Sequence, residues 1–247
     1  MDFNSKGPSL DRPSNEIFWS FLAQIFVKEI DFQGIEVLLE KKDKPVFYIG
    51  QHGAALGWLA LALANRVFWS HQQIERPPGI IFHPFVYQMP LLKSLAFRFS
   101  SGHKITNFFQ LIKLIERGKI LEVGSCPESS NCNFLYDEPV APFKFKEWIH
   151  LAMKIDKDIV LVVHSGTEQW QKTWKWPFSL GSLRGVHIPF MTKKIERLRL
   201  KMIPYRPTFV GAEFKQFTKK EQEAIVEEEC EKIRSIMIDE WKILDAA

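Results

Sequence analysis

A histidine stands directly after an apolar, β-branched run: residues 45–50 read PVFYIG and are followed by Gln51, His52 and Gly53. An imidazole with its ordinary pKa of about 6.5 takes and returns a proton at neutral pH. The carboxyl-terminal edge of a strand is where α/β sheets usually bind ligands. His52 is therefore a candidate general base; the plainer reading is a capping or core histidine. A second cluster repeats the arrangement. Residues 120–124, ILEVG, run into Ser125, Cys126, Pro127, Glu128, Ser129 and Ser130, placing an acid and several hydroxyls where a strand opens into a loop. Lys144 and Lys146 form a basic approach to that turn. Cys126 is a nucleophile only if a histidine partners it; a small cysteine packed beside a turn is the commoner case. His83, His164 and His187, at or near strand ends, read as structural. The cysteines lack zinc-type spacing, so no metal site is expected.

The elements that must position these residues alternate in type. Residues 45–50, 79–83, 120–124 and 159–164 have the composition and boundaries of buried strands. Residues 16–28, 54–69, 90–99, 107–117 and 144–155 carry helical periodicity. Thr106 is the expected cap of the 107–117 helix, and Thr218 with Glu221 forms a capping box opening the last helix. Along that helix Val226, Cys230, Ile233, Met237, Trp241 and Leu244 recur at spacings of three and four, with most acids off the stripe. The alternation predicts a single α/β domain over 15–247, a mostly parallel central sheet flanked by helices, preceded by a flexible arm over 1–14.

Composition bounds the partners. The chain has 247 residues and a net charge of +4, but nine acids oppose five bases from residue 219 onward, so the body before it is more basic than the total implies. Such a body favours anionic ligands and surfaces. The 33 Lys and Arg are matched by 21 Phe, 8 Trp and 4 Tyr, rings that suit lipid, nucleic acid or a bulky core. Residues 170–178, WQKTWKWPF, concentrate them with lysines; a membrane interface, an acyl-chain entrance and a loop folded onto the core all fit. Single-stranded nucleic acid would stack on the same composition, but no nucleic-acid module is recognisable and no such partner is expected. The longest apolar run, 54–64, is about half the ~20 residues of a spanning helix, and no signal-peptide core is present at the start. Three cysteines without a C-x-x-C pair fit a reducing, cytoplasmic setting. The absence of G-x-S-x-G, Walker and G-x-G-x-x-G patterns leaves hydrolase and nucleotide readings unsupported.

The order of the pieces resembles the lysophospholipid and glycerolipid acyltransferase superfamily from about residue 26 to residue 241. The sequence carrying the likeness is Phe32-Gln33-Gly34, the strand ending at His52, Pro90-Leu91-Leu92, Gly102, residues 114–119, Pro127-Glu128, Phe143-Lys144 and the strand over 159–163. The family's H-x-x-x-x-D motif would place an aspartate at position 57, where this chain has Gly57; its F-P-E-G-T turn corresponds to Cys126-Pro127-Glu128-Ser129-Ser130. The resemblance implies an acyltransferase fold and transfer of a fatty acyl group from acyl-CoA or acyl-carrier protein to a lipid hydroxyl, on a lysophospholipid or neutral glycerolipid. It implies no resident cofactor and no covalent acyl-enzyme. His52 would be the base and Glu128 a charge-supporting or substrate-binding acid. Gln51, Gly53, Lys104, Ser129, Ser130, Lys144 and Lys146 would contact substrate, with Lys104 replacing a phosphate-binding arginine. Glu128, or less readily Glu168, would supply the carboxylate for His52. The setting implied is the cytoplasmic face of a membrane, held peripherally without a transmembrane helix. The alternative on the same fold is a catalytically weak or inactive protein that binds lipid or acyl carrier.

Overall fold

The computed structural model describes residues 14–40, 45–53, 57–72, 74, 76–82, 84–88, 90–128, 139–170, 173–175, 187–189 and 194–246. In chain order the elements are α1 Ser14–Phe26, β1 Val27–Gln33, α2 Glu36–Glu40, β2 Val46–Gly50, α3 Gly57–His71, β3 Pro78–Gly79, a 3-10 turn Pro84–Gln88, α4 Pro90–Arg98 and α5 Phe108–Glu116. They continue with β4 Glu122–Ser125, α6 Glu147–Lys154, β5 Asp158–Ser165, a 3-10 turn Thr167–Trp170, β6 Thr173–Lys175, β7 His187–Pro189, β8 Ile195–Tyr205, α7 Gly211–Gln216 and α8 Lys219–Ala246. They build a single α/β domain.

Six strands form the central sheet in the order β1-β8-β5-β2-β4-β3; β6 and β7 pair separately. Within the large sheet only β5 and β8 run antiparallel. Strand periodicity sorts the side chains to two faces. Phe47, Ile49, Val123, Ile159, Leu161 and Val163 point to one core, covered by α5, α6 and α8. Val46, Tyr48, Val160, Val162, Leu198 and Leu200 point to the other, against α2 and α3. Aromatic Trp19 of α1 closes a third cluster with Leu63 and Phe99. The chain leaves β2 towards β3 and β4 on one side and reaches β5 on the other, so β2 ends at a topological switch point, where parallel sheets open a crevice.

Several expectations are corrected here. The first helix stops at Phe26, and Val27 and Lys28 open β1. That strand pairs in parallel with β8, where Leu198, Leu200 and Met202 alternate with Arg197, Arg199 and Lys201. Among the described residues of the 79–83 region only Gly79, with Pro78 before it, joins the ladder, although Phe82 N–H still bonds Ile105 O at 3.0 Å. Asn107, not Thr106, caps α5, its side chain accepting from Gln110 N–H at 3.0 Å. The capping box at α8 is formed as expected: Thr218 N–H donates to Glu221 Oε2 at 2.7 Å and Glu221 N–H to Thr218 Oγ1 at 3.4 Å. The α8 stripe is buried at Val226, Cys230, Ile233, Met237 and Leu244, and Trp241 is partly buried. Glu229 is buried with it. Burial pushes that carboxyl up, but the donors Tyr205 and Thr208, with Lys232 nearby, more than offset this and hold it below the usual carboxylate range.

Of the 170–178 segment, Thr173–Lys175 pairs with His187–Pro189, so part of it is strand. Residues 171–172 and 176–178 lie outside the described residues, as do 1–13, His83, Ser129 and Ser130. Among the described residues no helix is long and apolar enough to cross a membrane.

Candidate functional site

The expected cluster assembles where β2 and β4 end side by side, Ile49 facing Ser125 across the ladder. Gln51 is locked first. Its main-chain N–H bonds Val162 O at 3.4 Å, and its side-chain amide donates to His164 O at 2.7 Å. In return, His164 Nε2 lies 3.2 Å from Gln51 O, and His164 Nδ1 lies 3.3 Å from Thr167 Oγ1. Gln51 O can only accept, so Nε2 carries the proton and Nδ1 accepts from the Thr167 hydroxyl. Burial holds the His164 imidazole down to about 4, so it stays neutral at pH 7. His164 is structural, as its position in the sequence indicates.

Gly53 is required next. Its φ is +61°, and a Cβ there would lie 2.6 Å from His164 Cε1 and 2.7 Å from Thr167 Oγ1. The left-handed turn between Gln51 and α3 is thus seated directly on His164.

Glu128 fixes the residue between them. One carboxylate oxygen accepts the main-chain N–H of His52, and the other accepts Ala141 N–H at 2.6 Å. The bond to His52 runs to its main chain, whereas the sequence reading expects a carboxylate at the imidazole. Glu168 Oε2 accepts Gly166 N–H at 2.6 Å, closing its own turn. Burial pushes the Glu128 carboxyl up to about 7, against the two backbone bonds and Arg234, which pull it down. Arg234 of α8 also donates to Val140 O at 3.1 Å, tying the last helix to the loop that meets Glu128.

His52 borders a cavity of about 520 Å³ between α3, the α3-facing side of the sheet and the β3–β4 edge. That size falls in the roughly 300–1,000 Å³ range of small-molecule sites. Leu61, Ile80, Ile81, Phe99, Val162 and Met202 make its walls apolar. Phe108, Phe145, Trp148 and Cys126 also line it, with the Phe108 and Trp148 rings 4.5 Å apart. Gly124 helps keep the space open, since a Cβ there would meet nothing within 4 Å.

The remaining site candidates are dispersed. Lys104 is exposed, its amine 5.6 Å above the Tyr87 ring. Lys144 is exposed, and its main-chain N–H bonds Pro127 O at 2.9 Å. Lys146 pairs with Glu227 of α8, which raises its pKa and turns its charge toward that helix. Cys126 Sγ lies 3.8 Å from Gln51 O, the packing of a small side chain beside a turn.

Sequence reasoning missed a buried polar network bordering the same cavity. Glu122 accepts Tyr48 Oη–H at 2.7 Å, Arg76 Nε–H at 3.2 Å and Asn65 Nδ2–H at 3.2 Å, and it pairs with Arg66. Arg66 also donates to Arg76 O at 2.7 Å. Burial lowers the Arg66 guanidinium to about 10 and raises the Tyr48 hydroxyl to about 12. The signal was available: a glutamate inside ILEVG and an arginine in an otherwise apolar helix are residues that enter a core only when paired.

No protein-family model matches the chain, and no curated protein matches it in sequence.

Proposed function

We propose that the protein transfers a fatty acyl group from an acyl-CoA or acyl-carrier-protein thioester to a lipid hydroxyl. The carrying observation is that His52, fixed through its main chain by Glu128 at the end of β2, borders a large apolar cavity. In this reading the acyl chain lies in the cavity with its thioester carbonyl near His52. The imidazole takes the proton of the acceptor hydroxyl as that oxygen attacks the carbonyl carbon. The tetrahedral intermediate collapses, the C–S bond breaks, and the proton passes to the leaving thiolate, giving ester and free thiol. The motif order described for the glycerolipid acyltransferases supports the same assignment. Peripheral contact with a membrane surface is part of the proposal. Exposed Phe21 and Ile25 on α1, exposed Phe109 on α5, and exposed Phe145, which lines the cavity, support it.

A second reading, an acyl- or lipid-binding protein without turnover, has its own support. The position where the family motif carries aspartate is Gly57, the first residue of α3, and the two oxygens of Glu128 are engaged with backbone amides. The purified protein, given labelled acyl-CoA or acyl-carrier-protein donors and a panel of lysophospholipids and neutral alcohols, separates the two. Label appearing in an ester supports the transferase; binding without turnover supports the second reading.

A further inference from the structure

The cavity is apolar along most of its wall, yet Asn65 and Arg66, adjacent on α3, and Glu122 of β4 also border it. The orientation of the Asn65 amide is fixed by its Nδ2 bond to Glu122 Oε2 at 3.2 Å; the flipped amide would set oxygen against carboxylate. Asn65 Oδ1 is therefore directed away from that carboxylate, and it is buried with no hydrogen-bond partner among the described residues. A buried acceptor of this kind is costly unless a donor reaches it. Beside it, Arg66 spends nitrogens on Arg76 O and Glu122, and a guanidinium with five N–H donors has some to spare.

We propose that this end of the cavity holds a hydroxyl carried on the bound chain, donating to Asn65 Oδ1 and accepting from Arg66. A hydroxyl satisfies both neighbours, since its O–H donates and its oxygen accepts. A methyl terminus satisfies neither, and a carboxylate offers no donor to Asn65 and is repelled by Glu122. The position of that hydroxyl follows from the sheet. Glu122 begins β4, whereas His52 lies beyond the carboxyl-terminal ends of the strands. Three residues of β4 alone span roughly 10 Å, so the recognised hydroxyl is remote from the chain's carbonyl end. The inference rests on the acyl-binding reading of the cavity and narrows it to chains bearing a distal hydroxyl.

The test is equilibrium binding to the full-length protein, independent of turnover, across a homologous series of unsubstituted fatty acids. The matched ω-hydroxy acids, β-hydroxy acids and α,ω-dicarboxylates are measured alongside. At the chain length that brings the terminus to Asn65, the ω-hydroxy acid should bind roughly three- to tenfold tighter than its parent, the net worth of a hydrogen bond once desolvation of the hydroxyl is subtracted. The β-hydroxy acid should show no gain. Asn65→Leu, close in volume and without the acceptor, should erase the ω-hydroxy preference while keeping the parent acid bound. Equal or weaker ω-hydroxy binding at every length, or tighter dicarboxylate binding, overturns the hydroxyl site and leaves the acyl cavity standing. A preference that survives Asn65→Leu overturns the assignment to Asn65. Failure of every acid to bind overturns both this inference and the acyl reading. The wild-type series decides the question even if the variant does not fold.

Discussion

The carboxylate of Glu128 accepts the main-chain N–H of His52, so an acid in the loop after β4 holds the residue that follows β2 by its backbone. The same carboxylate holds Ala141 N–H. One side chain thus fixes the separation of two strand ends and a third segment, and the imidazole at the cavity border is placed by that triangle.

Replacing Glu128 tests this placement. Glutamine offers one acceptor oxygen and presents an NH2 to the second amide, so one buried donor faces another donor. Glu128→Gln should lose about 1–3 kcal/mol, the usual cost of an unsatisfied buried group, read as a lower urea midpoint at pH 4.5, where the wild-type carboxyl carries no buried-charge penalty. Acyl transfer should fall with it although His52 is untouched.

Gly53→Ala should be costly for two reasons. A non-glycine residue at φ +61° is strained, and the added methyl would press on His164 and Thr167. The left-handed backbone alone accounts for roughly 1–2 kcal/mol, so a thermal or urea melt should show at least that loss.

Two groups at this site titrate in opposite senses. His164 is held down to about 4 from 6.5, so its contribution to stability is present above pH 6.5 and lost as pH falls towards 4. Glu128 is pushed up to about 7 from 4.5, so its contribution is present below pH 4.5 and lost as pH rises through 7. Between pH 4.5 and 6.5 the two slopes oppose, each on the order of 3 kcal/mol in total. Relative to wild type, Glu128→Gln should make stability rise more steeply with pH over this window, and His164→Gln should tilt it the other way. Urea midpoints measured at half-unit intervals report both slopes.

The cavity can be filled without strain. Gly124 lies in a strand, where valine is well accommodated, and its missing Cβ faces open space. Gly124→Val should fold with an unchanged or higher melting temperature and bind fatty acids at least about fivefold more weakly, as overpacking a site costs about 1–3 kcal/mol.

Much of this was legible from residue order. The strand–loop positions of His52 and Glu128 marked two corners of the triangle, because parallel strands gather their carboxyl-terminal ends on one edge; the third, Ala141, carried no signal. The partner atom was not legible: no spacing says whether an acid meets a ring or an amide 76 residues away. Strand β8 carries no turn signal that marks it, although Leu198, Leu200 and Met202 alternate with basic residues, and the first two residues of β1, Val27 and Lys28, continue the helical spacing of 16–28. Lys146 looked like a headgroup contact because α8, which carries its partner Glu227, lies far off in sequence. Arg66 and Glu122 are each anomalous in their own segment, and only the packing of α3 on the sheet makes them a pair.

The central claim is tested most directly by the rate of ester formation in His52→Ala against wild type, with matched fatty-acid binding as the control for folding. Wild type should transfer acyl groups from a thioester donor to a lipid hydroxyl. His52→Ala should bind fatty acid as wild type does and lose roughly 10²–10⁴ of the rate, the range general-base catalysis supplies. Ester formation that persists unchanged in His52→Ala, or wild-type protein that binds acyl chains and never turns over, would contradict the account.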